Sequence, residues 1–400
     1  MALPLEGVRV IDLTNVLAGP YCGMVLGDLG ADVIKIESFP DGDASRRFDP
    51  KVAGESYCFT VVNRNKRSIA LDLKSPRGKA VFMQLAAEAD IVLENFRPGV
   101  VRRLGIDYES LRGINPGLVY ASMSGFGQTG PYAKRGGYDI IAQGMSGIMM
   151  MTGHPGGRPA KVGIAMNDIA SGVTALYGVL GAYIGRLRSG QGQYLETSLL
   201  EAGLAWTPWE FGAWAGMGEI PTATGTRHRR SAPYQAYRTK DGYATVGAGN
   251  EKLWRAFCNE VVGHPEWLVD PRYAKPAERL AHADDLERDI EAVFATADTT
   301  HWVERMEAAG VPGGPVYGYE EILADPHVAA RRMVVDIEHP RVGPMKTLGL
   351  PIKSSGDLTQ IRKPAPLLGQ HTTQILSELG IPDDEVAAML ADGVAFDGAI

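Results

Sequence analysis

The sequence predicts an α/β fold built on a parallel sheet with helices on its faces. Two observations carry that expectation. Residues 1–125 alternate between short apolar runs and helix-period segments, and the helical segments are bounded by serine, proline and glycine at positions that start and stop helices. Strands separated by helices in this way pair in parallel, because a crossover helix returns the chain to the same edge of the sheet.

Residues 8–13 read as a buried strand, residues 20–29 as a helix with Pro20 in its first turn and Gly30 just past its end, and residues 33–37 as a second strand. The unit repeats with a strand at 68–73, Ser75 as N-cap before Pro76, a helix to Glu88 and a strand at 91–94. Residues 118–123 form a further strand candidate. The texture then changes: 17 of the 49 glycines fall between Ser124 and Gly192, where bare backbone permits close approach and unusual φ/ψ angles, which suits a site better than a bulk core. Residues 234–249 read as short strands around a Lys240-Asp241-Gly242 turn. Helical patterns follow at 252–262, 283–294 and 300–309, then at 319–324, 375–379 and 383–390.

Composition narrows the function. Four hundred residues bury sizeable cores without staples, and the net charge of −7 disfavours nucleic acid or an anionic membrane as partner. Cys22, Cys58 and Cys258 are too far apart for a CxxC site, so no disulfide framework and no metal site is expected, and a reducing, cytoplasmic setting fits. Residues 1–13 show no secretory leader pattern, and the charge-free stretches at 140–157 and 169–185 are short and broken by glycine, as in buried segments of a soluble protein. The first strand–helix turn, Asn15 to Pro20, lacks the GxGxxG of dinucleotide folds although Glu37 stands where a ribose-binding acid would. Neither GxxxxGK[ST], GxSxG nor HExxH occurs, so P-loop, serine-hydrolase and zincin chemistry are disfavoured.

Asp168 is the informative residue. It follows the apolar stretch 162–166 and opens the charge-free helical segment 169–185. At a helix N-terminus the dipole and free N–H groups favour a carboxylate, so Asp168 reads either as a plain N-cap or as a nucleophile in a dry, glycine-lined pocket, able to attack an activated acyl group. The pattern alone leaves both open.

The strings Gly7-Val8-Arg9-Val10-Ile11-Asp12-Leu13, Ala18-Gly19-Pro20, residues 29–37, Asn65-Lys66-Arg67-Ser68, Glu94-Asn95-Phe96-Arg97-Pro98-Gly99, Ser122-Met123-Ser124-Gly125-Phe126-Gly127, Asn167-Asp168 and residues 366–372 resemble the family III CoA-transferases. Each string is weak alone, but they occur in the family's order over nearly the whole chain. The resemblance implies an enzyme that moves coenzyme A from an acyl-CoA to a free carboxylic acid, with Asp168 attacking the thioester to form an aspartyl–acyl anhydride and then an aspartyl-CoA thioester. Water must be kept from the anhydride, and glycine N–H groups would serve as an oxyanion hole. No permanently bound cofactor is implied; the CoA thioester is a substrate.

By the same resemblance Val16, Leu71, Lys74, Asn95, Phe96 and Arg103 line the CoA path. Lys74 and Arg103 would meet phosphates and Leu71 the adenine face. Taken alone, the two cations read equally as solvated charges, Asn95-Phe96 as a strand-end turn, and Leu71 and Val16 as core. Ser38 stands where formyl-CoA transferases carry an arginine over the adenine, and Arg46 or Arg47 is a candidate replacement.

The related α-methylacyl-CoA racemases use a histidine in a Gly-His-Asp string, and the matching string here is Gly137-Tyr138-Asp139. A phenol, with a pKa of about 10, is a poor base for Cα proton transfer, so a transferase is expected over a racemase, and a non-catalytic CoA-binding protein that keeps the fold is the other alternative. Leu17, Tyr138, Arg227 and His228 are the expected substrate-binding residues. The basic run Arg227-His228-Arg229-Arg230 reads either as a clamp for the far carboxylate of a succinate-like dicarboxylate or as a solvated linker. The family architecture implies a large Rossmann-like domain at 1–200, a linker at 201–226, a smaller α+β domain at 227–318, and a linker and C-terminal part at 319–400 that completes the large domain. It also implies an interlocked homodimer.

Overall fold

The computed structural model describes residues 2–398. The chain divides into two compact units: one takes in the residues up to Met149, Lys161–Glu219 and everything from Ala329 onward, the other Met150–Ala160 and Ile220–Val328.

The first unit is organised around strands β1 (Arg9–Asp12), β2 (Asp32–Glu37), β3 (Lys66–Leu71), β4 (Ile91–Glu94), β5 (Val119–Ser124) and β6 (Gln193–Ser198). They pair in parallel in the order β3-β2-β1-β4-β5-β6, and the tail strand Ala395–Phe396 adds antiparallel to β3. Successive residues point to opposite faces and fill separate cores. Ile11, Ile34, Val92 and Tyr120 pack with Phe82 and Leu85 of helix α2 (Pro76–Glu88). Val10, Val33, Leu93 and Val119 pack on the other face with Cys22 and Leu26 of α1 (Ala18–Asp28). Burying both faces explains why these strands read as apolar runs instead of alternating ones.

The chain runs from β1 outward to β2 and β3, then returns to lay β4 on the opposite side of β1. At such a reversal the loops leaving the two neighbouring strands diverge and open a crevice at the carboxyl ends, where α/β proteins bind ligands. Helices α3 (Asp139–Met145), α4 (Met166–Ser189), α5 (Leu199–Ala205) and α6 (Pro208–Met217) follow β5 and β6. Helix α4 lies against α1 so closely that a Cβ on Gly172 would come within 2.6 Å of the Ala18 carbonyl.

Two of the sequence motifs bind the chain ends together. Asn65, at φ 62°, accepts the N–H groups of Arg362 and Lys363 at 2.7 and 2.9 Å. Ser68 accepts the Gly369 N–H on its hydroxyl and the His371 N–H on its carbonyl, and Thr372 Oγ1 accepts the Ala70 N–H at 3.1 Å. The strings at 65–68 and 366–372 therefore dock the C-terminal tail onto β3.

The second unit carries an antiparallel sheet of β7 (Tyr234–Arg238), β8 (Tyr243–Gly247) and β9 (Gly313–Pro315), with Tyr237, Trp254, Phe257, Phe294 and Trp302 in its core.

Several elements depart from expectation. The strand expected at 68–73 lies at Lys66–Leu71, because the Asp72 carboxylate accepts the Lys74 N–H at 2.9 Å and starts a turn. The helix expected at 252–262 is an α-helix, Glu251–Ala256, followed by a π-helical turn, Phe257–Val262. The span 201–226 contains most of α5 and all of α6. Neither β6 nor the hairpin β10 (Val334–His339) and β11 (Gly343–Leu348) was foreseen, since their polar alternation carries little apolar signal. Among the described residues no helix is long and apolar enough to cross a membrane.

Candidate active site

Two neighbouring cavities open at the topological reversal. The first, about 310 Å³, is lined by Asn15, Val16, Leu17 and Ala18 after β1, Asn95 to Pro98 after β4, Ser124 and Gly125 at the end of β5, and Gly137, Tyr138 and Asp168. The second, about 370 Å³, is lined by Ser38, Leu71, Lys74 and Arg103, with Asn15 and Phe96 belonging to both. The structure thus gathers Val16, Leu17, Asn95, Phe96, Tyr138 and Asp168 around one cavity, and Leu71, Lys74 and Arg103 around the next. Among the described residues neither Lys74 nor Arg103 has an ion-pair partner, so the second cavity holds two uncommitted positive charges beside an apolar leucine wall.

Asp168 is not the N-cap. Helix α4 begins at Met166 after Ala165, which places Asp168 in the third helical position. The capping function comes from Asp139, whose Oδ1 accepts the Asn167 N–H at 2.8 Å and, more loosely, the Asp168 N–H at 3.4 Å. Relieved of capping, the half-buried Asp168 carboxylate faces the cavity. Burial raises its pKa to about 6, and the nearby Asp139 charge adds to the rise. Such a group is ionised near neutrality yet poorly solvated, and both properties suit a nucleophile. Asn167 anchors the turn from below: its amide donates to the Leu199 carbonyl at 2.9 Å, and a Cβ on Gly203 would overlap it.

The glycine enrichment is only partly a property of the site. Gly125 and Gly137 line the Asp168 cavity, and their backbones touch: a Cβ on Gly125 would lie 2.6 Å from Gly137 Cα. Gly153, Gly156 and Gly157 belong instead to the second unit.

The loop after β1 is unusually constrained. Val16 has φ 70°, a left-handed conformation that costs a β-branched residue about 1–3 kcal/mol. Asn95 spends both halves of its amide on this loop, accepting the Asn15 N–H and donating to the Asn15 carbonyl, each at 2.8 Å. Phe96 is fixed by its N–H donating to the buried Glu94 carboxylate at 2.8 Å, and burial pushes the Glu94 pKa up to about 7.

Arg227 and His228 lie in the second unit, where both have partners. The Arg227 guanidinium donates to Asp284 at 2.7 Å and also to Glu287, and His228 packs against the Tyr234 ring at 5.0 Å. Arg46 grips Glu37 with two hydrogen bonds of 2.7 Å and covers the Phe59 ring, while Arg47 pairs with Asp41 at 3.1 Å. Neither of these arginines lines the cavity that holds Ser38 and Leu71.

Sequence reasoning missed Arg97, Arg135 and Asp139. The two arginines line the Asp168 cavity and have no ion-pair partner among the described residues; Arg135 stacks over Tyr132 at 4.1 Å. Arg97 stands inside a matched string and Arg135 two residues before Gly137, but nothing in the sequence separates a free arginine from a paired one.

Residues 5–372 match the model of a family described as CoA-transferase family III. The chain is 38% identical over 393 residues to a succinyl-CoA:glutarate CoA-transferase of Homo sapiens, covering 98% of this chain and 90% of that one. It is 40% identical over 382 residues to an acetyl-CoA:oxalate CoA-transferase of Acetobacter aceti, covering 95% and 97%. Among solved structures it superposes on a CAIB/BAIF family protein from Brucella suis with a TM-score of 0.85 at 36% identity, covering 95% of this chain and 100% of that one.

Proposed function

Because the chain belongs to CoA-transferase family III and is an acyl-CoA:carboxylate CoA-transferase, we propose that Asp168 is its nucleophile and that the two cavities hold the two ends of one acyl-CoA. The observation that carries this reading is the placement of a destabilised carboxylate, with its pKa raised to about 6, in a cavity adjoining one lined by Lys74 and Arg103, which have no ion-pair partner among the described residues. The nucleotide would occupy the second cavity, with Leu71 against the ring and the two cations on phosphates; the pantetheine arm would pass Phe96, Asn95 and Val16.

An Asp168 carboxylate oxygen attacks the thioester carbonyl carbon, the C–S bond breaks, and CoA leaves as thiolate from a mixed anhydride. The thiolate then attacks the Asp168 carbonyl carbon and expels the donor acid, leaving an aspartyl-CoA thioester. The acceptor carboxylate attacks that thioester, re-forming an anhydride, and the returning thiolate takes the acceptor acyl group and frees Asp168. The uncapped first turn of α1, where Leu17 and Ala18 line the cavity, offers N–H groups to the developing oxyanion.

For the acids we infer small dicarboxylates such as succinate. Arg97 and Arg135 line the Asp168 cavity with no ion-pair partner among the described residues and would meet a distal carboxylate there, whereas Arg227 is already neutralised by two acids. The relative named for succinyl-CoA and glutarate is consistent with this. We also propose a homodimer: no residue of α6 is buried, and Trp209, Phe211, Trp214 and Met217 lie exposed on it, an apolar face suited to a second copy.

The test is incubation with succinyl-CoA and a panel of carboxylic acids, with mass spectrometry of products and protein. The reading expects CoA exchange and a CoA adduct on Asp168. Deuterium uptake at Cα without acyl exchange would favour a racemase, and the absence of both would favour a protein that only binds CoA.

A further inference from the structure

We propose that Lys35 and Asp43 are positioning residues for the transfer reaction, holding Val16 in its left-handed conformation so that the wall of the Asp168 cavity is set before the acyl-CoA arrives; this rests on the reading of Asp168 given above. Five consecutive backbone polar groups after β1 are each held by a side chain. Asp12 accepts the Thr14 N–H at 2.8 Å, Lys35 donates to the Thr14 carbonyl at 2.6 Å, Asn95 pairs with both groups of Asn15, and Asp43 Oδ1 accepts the Val16 N–H at 3.0 Å. A loop whose backbone is satisfied only by itself or by water needs no such arrangement.

Lys35 and Asp43 form one buried device. Lys35 Nζ lies 2.9 Å from Asp43 Oδ2, and both side chains are fully buried. Asp43 is fixed in turn by the N–H and hydroxyl of Ser45, at 2.8 and 2.7 Å, and its own N–H donates to Glu37 at 3.0 Å. The Lys35 ammonium holds the Asp43 carboxyl below the ordinary range despite the burial that opposes it, so Asp43 stays charged, and a charged acceptor binds the Val16 N–H more strongly than a neutral one. Neither residue lines either cavity; of the wall residues they hold, Val16 belongs to the Asp168 cavity, whereas Thr14 and Glu37 belong to the second, so the coupling to Val16 is what the test has to isolate. Rotation about φ at Val16 would swing Leu17 and Ala18, the next residues of the cavity wall, out of place.

The test combines Asp43→Asn with Val16→Gly, because glycine adopts positive φ without the strain that the network has to hold. Asp43→Asn is near-isosteric, and Asp12 and Glu37 still face Lys35. Steady-state kinetics with succinyl-CoA and glutarate, alongside circular dichroism and thermal melting, should show a folded Asp43→Asn enzyme. Its kcat should fall at least ~10-fold while the acyl-CoA KM changes less than ~3-fold, and the double variant should lose less kcat than the product of the two single losses. If Asp43→Asn does not fold, Ser45→Ala reads the same coupling at lower amplitude, a loss of ~3-fold that shrinks on adding Val16→Gly. A kcat for Asp43→Asn within ~2-fold of wild type, or losses that simply multiply, would overturn the proposal alone. Wild-type enzyme that transfers CoA to no acid would overturn the reading of Asp168 and this proposal together.

Discussion

Asp139 accepts the Asn167 N–H at 2.8 Å, so a carboxylate from α3 caps the helix that carries Asp168 and at the same time places a like charge beside it. Asp139 thus frees the proposed nucleophile from capping and adds its charge to the pKa rise that burial causes. The pH dependence should show it. With the Asp168 pKa near 6, kcat/KM falls tenfold per unit below about pH 6 as the carboxylate protonates. Asp139→Asn keeps an acceptor for the cap but removes the charge, so the acid limb moves to lower pH. A limb that stays in place would mean that burial alone sets the shift.

Asp168 should also cost stability. Its folded pKa of about 6 lies above the unfolded value, so the folded state binds the proton more tightly, and stability declines as pH rises from about 4 to about 6. Asp168→Asn therefore abolishes transfer yet stabilises the protein at pH 7.5 by about 1–2 kcal/mol, after discounting for partial exposure to solvent. Urea unfolding at pH 4 and pH 7.5 checks both the gain and its disappearance at low pH.

Arg135→Met should reduce kcat/KM for succinyl-CoA about tenfold or more while leaving butyryl-CoA, which lacks the distal carboxylate, within about threefold. Equal losses for both thioesters would assign Arg135 to the CoA moiety instead.

Gly125→Ala places a methyl group against the Gly137 backbone, which cannot yield as a flexible side chain would. The expected result is a loss of about 1–3 kcal/mol in stability with a disproportionate fall in kcat, because both glycines line the cavity. Wild-type activity together with a wild-type melting temperature would show that the two segments separate freely.

Trp209, 79% exposed on α6, is the residue with which to test self-association. Trp209→Glu should shift the molar mass measured by light scattering from dimer toward monomer. An unchanged mass would move the interface elsewhere.

The parallel sheet was legible because burial on both faces leaves an unmistakable apolar run at each inner strand, and proline and glycine mark the helix ends between them. Asp168 stood out for a related reason: an acid just ahead of the charge-free run 169–185 is conspicuous. The polar strand β6, exposed along much of its length, left no such trace.

The sequence by itself determined the inner strands, their crossover helices, the acid at the start of α4 and the family to which the motifs point, since each is written in contiguous residues. Only the tertiary structure decided what those residues do for one another. It paired Arg46 with Glu37 and Arg227 with Asp284, placed Arg97 and Arg135 on the Asp168 cavity with no ion-pair partner among the described residues, assigned Asn95 to the loop after β1, and brought Asp139 to cap a helix that begins 27 residues later. A charge's effect depends on which opposite charge lies within a few ångströms of it, and spacing along the chain does not encode that distance.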